Sequence, residues 1–420
     1  MKRAQVVGAG LAGLSASIAL TQAGFAVTLS DGAAQAGGRY RSYRDPQLEM
    51  VIDNGNHLVL SGNEAVYDYL ETIGAADRLT GPDTAHFPFV DMRDGSRWTI
   101  RPNDGPIPWW IGASGRRVPG TGIADYLAFA RLLRPASDAR VADAIPAQGR
   151  LWDRLIEPLL VSILNTPPAG ASAALAGAVV RETLAKGGRA CRPRIADPTL
   201  AAAFVDPALA WLADHGATIR LGRRLRALSF AEDRVVGLDF GDVTEPVAAD
   251  EPVVLAVPAW AAAALLPGLT VPDAHHAIVN AHFRFAPPPG AEPMIGVVGG
   301  TSHWIFAFPD RLSVTISAAD ALCDEDRATL AARIWREVAK VHRIDAPLPL
   351  WQIVRERRAT FAATPEQDRR RPGTATRWAN LLLAGDWTQT GLPATIEGAI
   401  RSGRSAAKRA DEVGRARVSG

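Results

Sequence analysis

The segment Gly8-Ala9-Gly10-Leu11-Ala12-Gly13 constrains this chain more than any other. It follows a short apolar run at 4–8 and opens a stretch of small residues at 11–23, ahead of a second apolar run at 25–29. That order predicts strand, tight turn, helix and parallel strand, a βαβ unit of about thirty residues. Gly8 permits the turn, Gly10 lets a pyrophosphate approach the backbone, and Gly13 lets the helix lie close to the strand. The helix start offers unpaired N–H groups and a partial positive charge to phosphate. Asp31, at the end of the second strand, is placed to accept a hydrogen bond from a ribose hydroxyl.

The 420-residue sequence as a whole has the apolar content, 47%, of a soluble globular chain, and 46 basic residues nearly balance 44 acidic ones. Disorder, collagen and a disulfide scaffold are excluded, and no nucleic-acid partner is expected without a basic block. Cys191 and Cys323 stand alone, and His275-His276 has no further ligand at metal spacing, so no metal is expected. The first residues run straight into the glycine fingerprint, which argues against a signal peptide. The uncharged run between Glu251 and Asp273 is divided by Pro252, Pro258, Pro267 and Pro272, and reads as a buried strand (253–257) and a short helix (259–266). Periodicity predicts helices at 64–73, 123–133, 208–215, 324–342 and 395–410, strands at 218–221, 225–230, 234–240 and 381–384, a half-exposed sheet over 275–320, and a fraying tail after Asp411.

Two further motifs extend the nucleotide reading. Gly37-Gly38-Arg39, with Ser42 following, comes shortly after Asp31, and Gly385-Asp386 ends the apolar run at 381–384 ahead of the Thr395-Ile396 helix start. Together they resemble the FAD signature of the amine oxidase and phytoene desaturase superfamily. The resemblance implies an α/β fold, with a Rossmann-like FAD-binding domain of the glutathione-reductase/amine-oxidase type and a discontinuous mixed-sheet-plus-helix substrate domain. The first domain is placed at 1–85, 205–270 and 378–420, the second at 86–204 and 271–377. Cofactor contacts are implied for Gly8, Gly10, Gly13, Asp31, Gly38, Arg39, Leu225, Gly385, Asp386, Thr395 and Ile396. Arg39 would bring its charge to the pyrophosphate, the Leu225 backbone would meet the adenine, and Asp386 would hold a ribityl hydroxyl. No cysteine or histidine lies in the closing motif, so FAD is expected to bind non-covalently.

Asp53-Asn54-Gly55-Asn56-His57, Leu164-Asn165-Thr166-Pro167-Pro168 and Gly391-Leu392-Pro393-Ala394-Thr395-Ile396-Glu397-Gly398 resemble, more narrowly, the squalene-associated FAD-dependent enzymes, the hydroxysqualene dehydroxylases. Their pattern carries Gln where this chain has Asn56. The resemblance implies reductive removal of the hydroxyl of hydroxysqualene, in hopanoid synthesis, by hydride from flavin N5, in a dry apolar tunnel with a proton donor. His57 is the candidate donor; Asp53, Thr388 and Thr390 read as turn chemistry as readily as function. An isoprenoid desaturase running the flavin in the other direction stays open, as does a non-catalytic isoprenoid escort. An amine oxidase is disfavoured by only four lysines, none near a flavin motif. The electron donor is not specified. Trp109 and Trp110, with Arg116 and Arg117 following, fit either a core turn or a membrane-interface contact, so the expected location is cytoplasmic, with possible peripheral contact to the inner membrane face. The run Arg369-Arg370-Arg371 reads as a solvated loop.

Overall fold

A computed structural model describes residues 2–416 of the chain. Strand Lys2–Val7, helix Leu11–Gln22 and strand Phe25–Ser30 form the expected unit, with the strands parallel in the register Lys2↔Phe25 to Val7↔Ser30. Three later strands join in parallel to give the order 218–220, 25–30, 2–7, 253–255, 381–383. Strand Val253–Leu255 lies between the first strand and Leu381–Leu383, so the two glycine-bearing turns, at Gly8 and Gly385, leave the same edge of one sheet. Ligands of open parallel sheets bind at that carboxyl edge.

Helix Leu11–Gln22 is small or apolar all round because both of its sides are covered. One side meets the sheet: a Cβ at Gly13 would sit 1.7 Å from the Gly8 carbonyl oxygen. The other meets helix Ile396–Ala416, where a Cβ at Gly403 would sit 2.2 Å from the Ala12 carbonyl oxygen, and the Ser15 hydroxyl donates to the Ile400 carbonyl at 2.9 Å. The last helix thus continues past Asp411 to Ala416; the rest of the tail expected to fray, 417–420, lies outside the described residues.

The second large sheet has seven strands in the order 351–361, 275–283, 311–316, 304–308, 294–298, 87–91, 97–100. Its alternating sequence was expected to mark one face in solvent. Instead both faces are covered. Val279, Val314 and Ile305 pack beneath helix Arg327–His342 with Leu330, Ile334 and Val338. The alternate residues Asn280, Thr315 and Trp304, aligned across three strands, face an internal cavity. Polar residues on that face meet a cavity rather than bulk water, and alternation alone cannot tell the two apart. The predicted helix at 123–133 is an α-turn, Ile123–Leu127, tightening into a 3-10 segment, Ala128–Leu133. No helix among the described residues is long and apolar enough to cross a membrane.

His282 sits fully buried within this sheet, opposite Ser313, whose hydroxyl lies 2.8 Å from Nδ1. Burial, reinforced by the Arg311 charge, pushes its pKa from 6.5 down to about 3. The folded chain therefore holds the ring neutral where the unfolded chain would protonate it. Stability from this group is complete above pH 6.5 and falls as pH drops toward 3, with a slope of up to about 1.4 kcal/mol per pH unit. Urea denaturation at stepped pH should show His282→Gln with a flatter acid limb than the parent; equal slopes would refute it.

Candidate active site

The glycine turn is shaped as its sequence implies. Gly8 adopts φ +110, and a Cβ there would meet the Ala256 carbonyl oxygen at 2.5 Å. At Gly10 a Cβ would meet nothing within 4 Å, so the space over the helix start is open, and no side chain caps that helix. An uncapped helix start beneath an open glycine fits a phosphate group. Gly38, φ +56, approaches Gly10, to which Gly37 is bridged. The Asp31 carboxylate accepts from the Ala9 N–H at 2.6 Å and the Ala33 N–H at 2.7 Å, so it is tied to the turn itself. Arg223 N–H donates to the Asp31 carbonyl and Gly222 N–H to that of Ala33, both at 2.7 Å, which lays the segment leading to Leu225 beside the acid.

Arg39 and Asp386 were expected as separate cofactor contacts. They are bonded to each other, with Arg39 Nη2 2.7 Å from Asp386 Oδ2, while Nη1 donates to the Ala359 carbonyl at 2.6 Å. The pair links the two nucleotide motifs with a charge-assisted bond. Behind it lies Arg371. It was expected in a solvated loop, yet it is among the largest fully buried side chains. Its guanidinium donates to the carbonyls of Asp386 and Thr388 and the Thr390 hydroxyl, pairs with Asp368 at 2.9 Å, and stacks over Phe361. Arg370 and Arg369, its neighbours, remain half-buried and exposed. Nothing in a run of three arginines marks which one turns inward. Thr388, whose hydroxyl donates to the Gly385 carbonyl, and Thr390 serve this turn.

A cavity of about 340 Å³ opens between the two sheets. Of the expected cofactor residues, Arg39, Thr395 and Ile396 line it; the other eight stand outside its walls. Most of the lining is apolar, from Phe87, Phe89, Leu159, Ile163, Trp304 and Phe306 among others. Among its polar residues, Asn54, Asn56, His57, Asn280, Thr315 and Glu356 make up a polar island; Arg39, Asn165, Glu182 and Glu397 also line the cavity. Asn280 and Thr315 are paired across two strands that also carry His282 and Ser313, so polarity alone does not single them out.

His57 was expected to donate a proton. Its ring lies 4.5 Å from that of Tyr40, and Nδ1 is 3.0 Å from the Gly55 carbonyl. Burial, with the Arg39 charge adding to it, pushes the pKa down to about 4. A carbonyl only accepts, so Nδ1 carries the hydrogen and Nε2 is an acceptor. At neutral pH the ring has no proton to give at Nε2, against the acid role read from sequence. Asp53 is not in the cavity: it is buried, accepting from the Ser42 hydroxyl at 2.5 Å and the Leu200 N–H at 2.9 Å. Three carboxylates do line the cavity. Glu397 accepts from the N–H groups of Ala65 and Val66, at the start of helix Glu64–Thr72, and from Arg401. Glu182 is held at both oxygens by Arg401. Glu356 accepts from Asn54 Nδ2 at 3.3 Å, feels the Arg39 charge, and is not engaged by Arg401.

Trp109 and Trp110 separate. Trp110 is buried, its ring 5.3 Å from that of Tyr126, and lines the cavity; Trp109 is 58% exposed with Arg116 stacked over it at 4.7 Å.

Removing Arg371 should loosen the closing turn, since it leaves two buried carbonyls without their donor. Arg371→Met should cost about 3 kcal/mol of stability and lower the flavin retained after desalting. Thermal denaturation and the ratio of visible to ultraviolet absorbance measure both; unchanged values would refute the role.

Residues 11–410 match the family described as flavin containing amine oxidoreductase. The hydroxysqualene dehydroxylase of Rhodopseudomonas palustris is 53% identical over 417 residues, covering 99% of this chain and 100% of that one. The hydroxysqualene dehydroxylase of Sinorhizobium fredii is 51% identical over 406 residues, covering 97% of each. Among solved structures, an oxidoreductase from Methanosarcina mazei superposes with a TM-score of 0.74 at 14% identity, covering 97% of this chain and 100% of that one, a likeness of fold. The chain is accordingly a flavin-dependent oxidoreductase, belonging to the flavin containing amine oxidoreductases and, within them, to the hydroxysqualene dehydroxylases.

Proposed function

We propose that this chain converts hydroxysqualene to squalene with a non-covalently held FAD. The observation that carries the reading is the cavity: apolar walls suited to a hydrocarbon chain, one polar island, and Thr395 and Ile396 at its edge. The segments 1–85, 205–270 and 378–420 hold the cofactor, with phosphates over Gly10 and the Leu11 helix start; 86–204 and 271–377 supply the apolar walls. Reduced flavin, when bound, supplies the hydride. The chain's own residues exclude water, orient the alcohol and bring the proton that lets its oxygen leave as water. Glu356 is the residue we assign to that proton, because Glu182 and Glu397 are engaged by Arg401 and His57 presents an acceptor.

The deciding test is a single anaerobic turnover of reduced protein with hydroxysqualene. Stoichiometric flavin reoxidation with squalene formed supports the reading. No reoxidation, with a saturated isoprenoid reducing the oxidised protein, points to a desaturase, and a colourless protein points to an escort. In the same assay Glu356→Gln should slow the step by about 10²–10⁴, the usual size of an acid's contribution, and His57→Ala by less. The reverse order would return the acid role to His57.

The same segment that walls the cavity with Trp110, Tyr126 and Phe129 exposes Ile107 (76%), Trp109, Ile123 (50%) and Leu127 (62%) on its outside. Arg101, Arg116, Arg117, Arg131 and Arg134 accompany them against Asp104 and Asp125. We assign this face to an anionic bilayer, from which an isoprenoid would enter the cavity. Trp109→Ser with Leu127→Ser should reduce co-sedimentation with phosphatidylglycerol vesicles about tenfold or more, while turnover of detergent-dispersed substrate is kept. Undiminished co-sedimentation would overturn the assignment.

A further inference from the structure

The polar island has a direction, and it can be read from one fixed point. The Asn54 main-chain carbonyl can only accept, and Asn280 Nδ2 lies 3.3 Å from it. That sets the Asn280 amide with Oδ1 toward Thr315, 2.8 Å from its hydroxyl. The Thr315 hydroxyl has one hydrogen, and Asn280 takes it. Thr315 can therefore only accept from Asn56, whose Nδ2 is 3.1 Å away. The Asn56 amide is thereby fixed as well, and its Oδ1 is left as a buried acceptor with no partner in the protein, on a residue that lines the cavity. Gly55 makes the arrangement possible, because a Cβ there would lie 2.8 Å from Asn280 Nδ2.

We propose that Asn56 Oδ1 is the anchor for the substrate's hydroxyl, and that it makes the cavity select an alcohol over the hydrocarbon of the same skeleton. The inference rests on the functional reading above and names the residue that reads the reacting group. A buried acceptor left unpaired is costly, so a hydroxyl donating to it gains what a hydrocarbon cannot. The relay holds the acceptor in place before substrate arrives, so little ordering is needed on binding. During reaction the C–O bond breaks with its electron pair on oxygen, which takes the proton and departs as water, and the carbon accepts hydride from the reduced flavin. The hydroxyl hydrogen grows more positive along that path, so its bond to Asn56 strengthens toward the transition state. After reaction, squalene has no donor for Asn56, which favours release of product.

The test compares binding of hydroxysqualene and squalene to the oxidised, flavin-loaded protein without reductant, followed by tryptophan fluorescence. The parent should prefer the alcohol. Asn56→Leu should weaken alcohol binding by about tenfold to a hundredfold and leave squalene binding equal or tighter. Thr315→Val removes the relay while keeping the side-chain volume, and should lose part of the preference. Should Asn56→Leu fail to fold, the Thr315→Val result decides alone. An unchanged preference in the folded variants overturns the anchor. A parent protein that does not convert the alcohol overturns the functional reading instead.

Discussion

Two helices from opposite ends of the chain lie against each other closely enough that Gly403 has no room for a side chain over Ala12. The rest of the molecule depends on that contact. It places the closing motif, carried at the start of the last helix, on the same sheet edge as the opening glycine turn. The Arg39–Asp386 pair and buried Arg371 then tie the two motifs to each other. The proposed cofactor site is thus assembled from segments more than 300 residues apart, and its precision would come from backbone-to-backbone packing, which small residues alone allow.

Much of this was legible beforehand, for a physical reason. Glycine patterns report backbone approach, which depends little on the surroundings, so the βαβ unit, the fold class and the closing motif could be read from residues 8–39 and 381–399. Side-chain partnerships are a different matter. Arg39 and Asp386 were each read as facing a ligand, because sequence shows charge and not who is near it. Arg371 was hidden in a run that looked uniform. The sheet over 275–320 seemed to face water because a cavity leaves the same alternation as solvent. His57 was read as a proton donor, but burial, which sequence does not display, leaves it neutral with its hydrogen turned toward Gly55.

The cavity joins two demands that conflict. A long hydrocarbon needs dry walls, and loss of a hydroxyl needs polar groups. The proposed reaction would meet both with a polar patch carried on three strands and one loop, set among apolar walls. Asn54, Asn280, Thr315 and Asn56 form a sequence of donors and acceptors whose order is set from the main chain. Such a patch stays organised inside an apolar chamber because its orientation is not left to solvent.

The placement of strand Leu381–Leu383 and helix Ile396–Ala416 also sets the order of events during synthesis. At ribosomal rates of about 5–20 residues per second, more than 350 residues are made before these elements emerge, a wait on the order of tens of seconds. Throughout that time the edge of Val253–Leu255 lacks its neighbour, and one whole side of Leu11–Gln22 stays uncovered. The nascent chain must therefore keep an apolar surface out of reach of other chains until its last segment arrives. Completion of this sheet edge is in this sense a late step of biogenesis, reached only after more than 350 residues have been made.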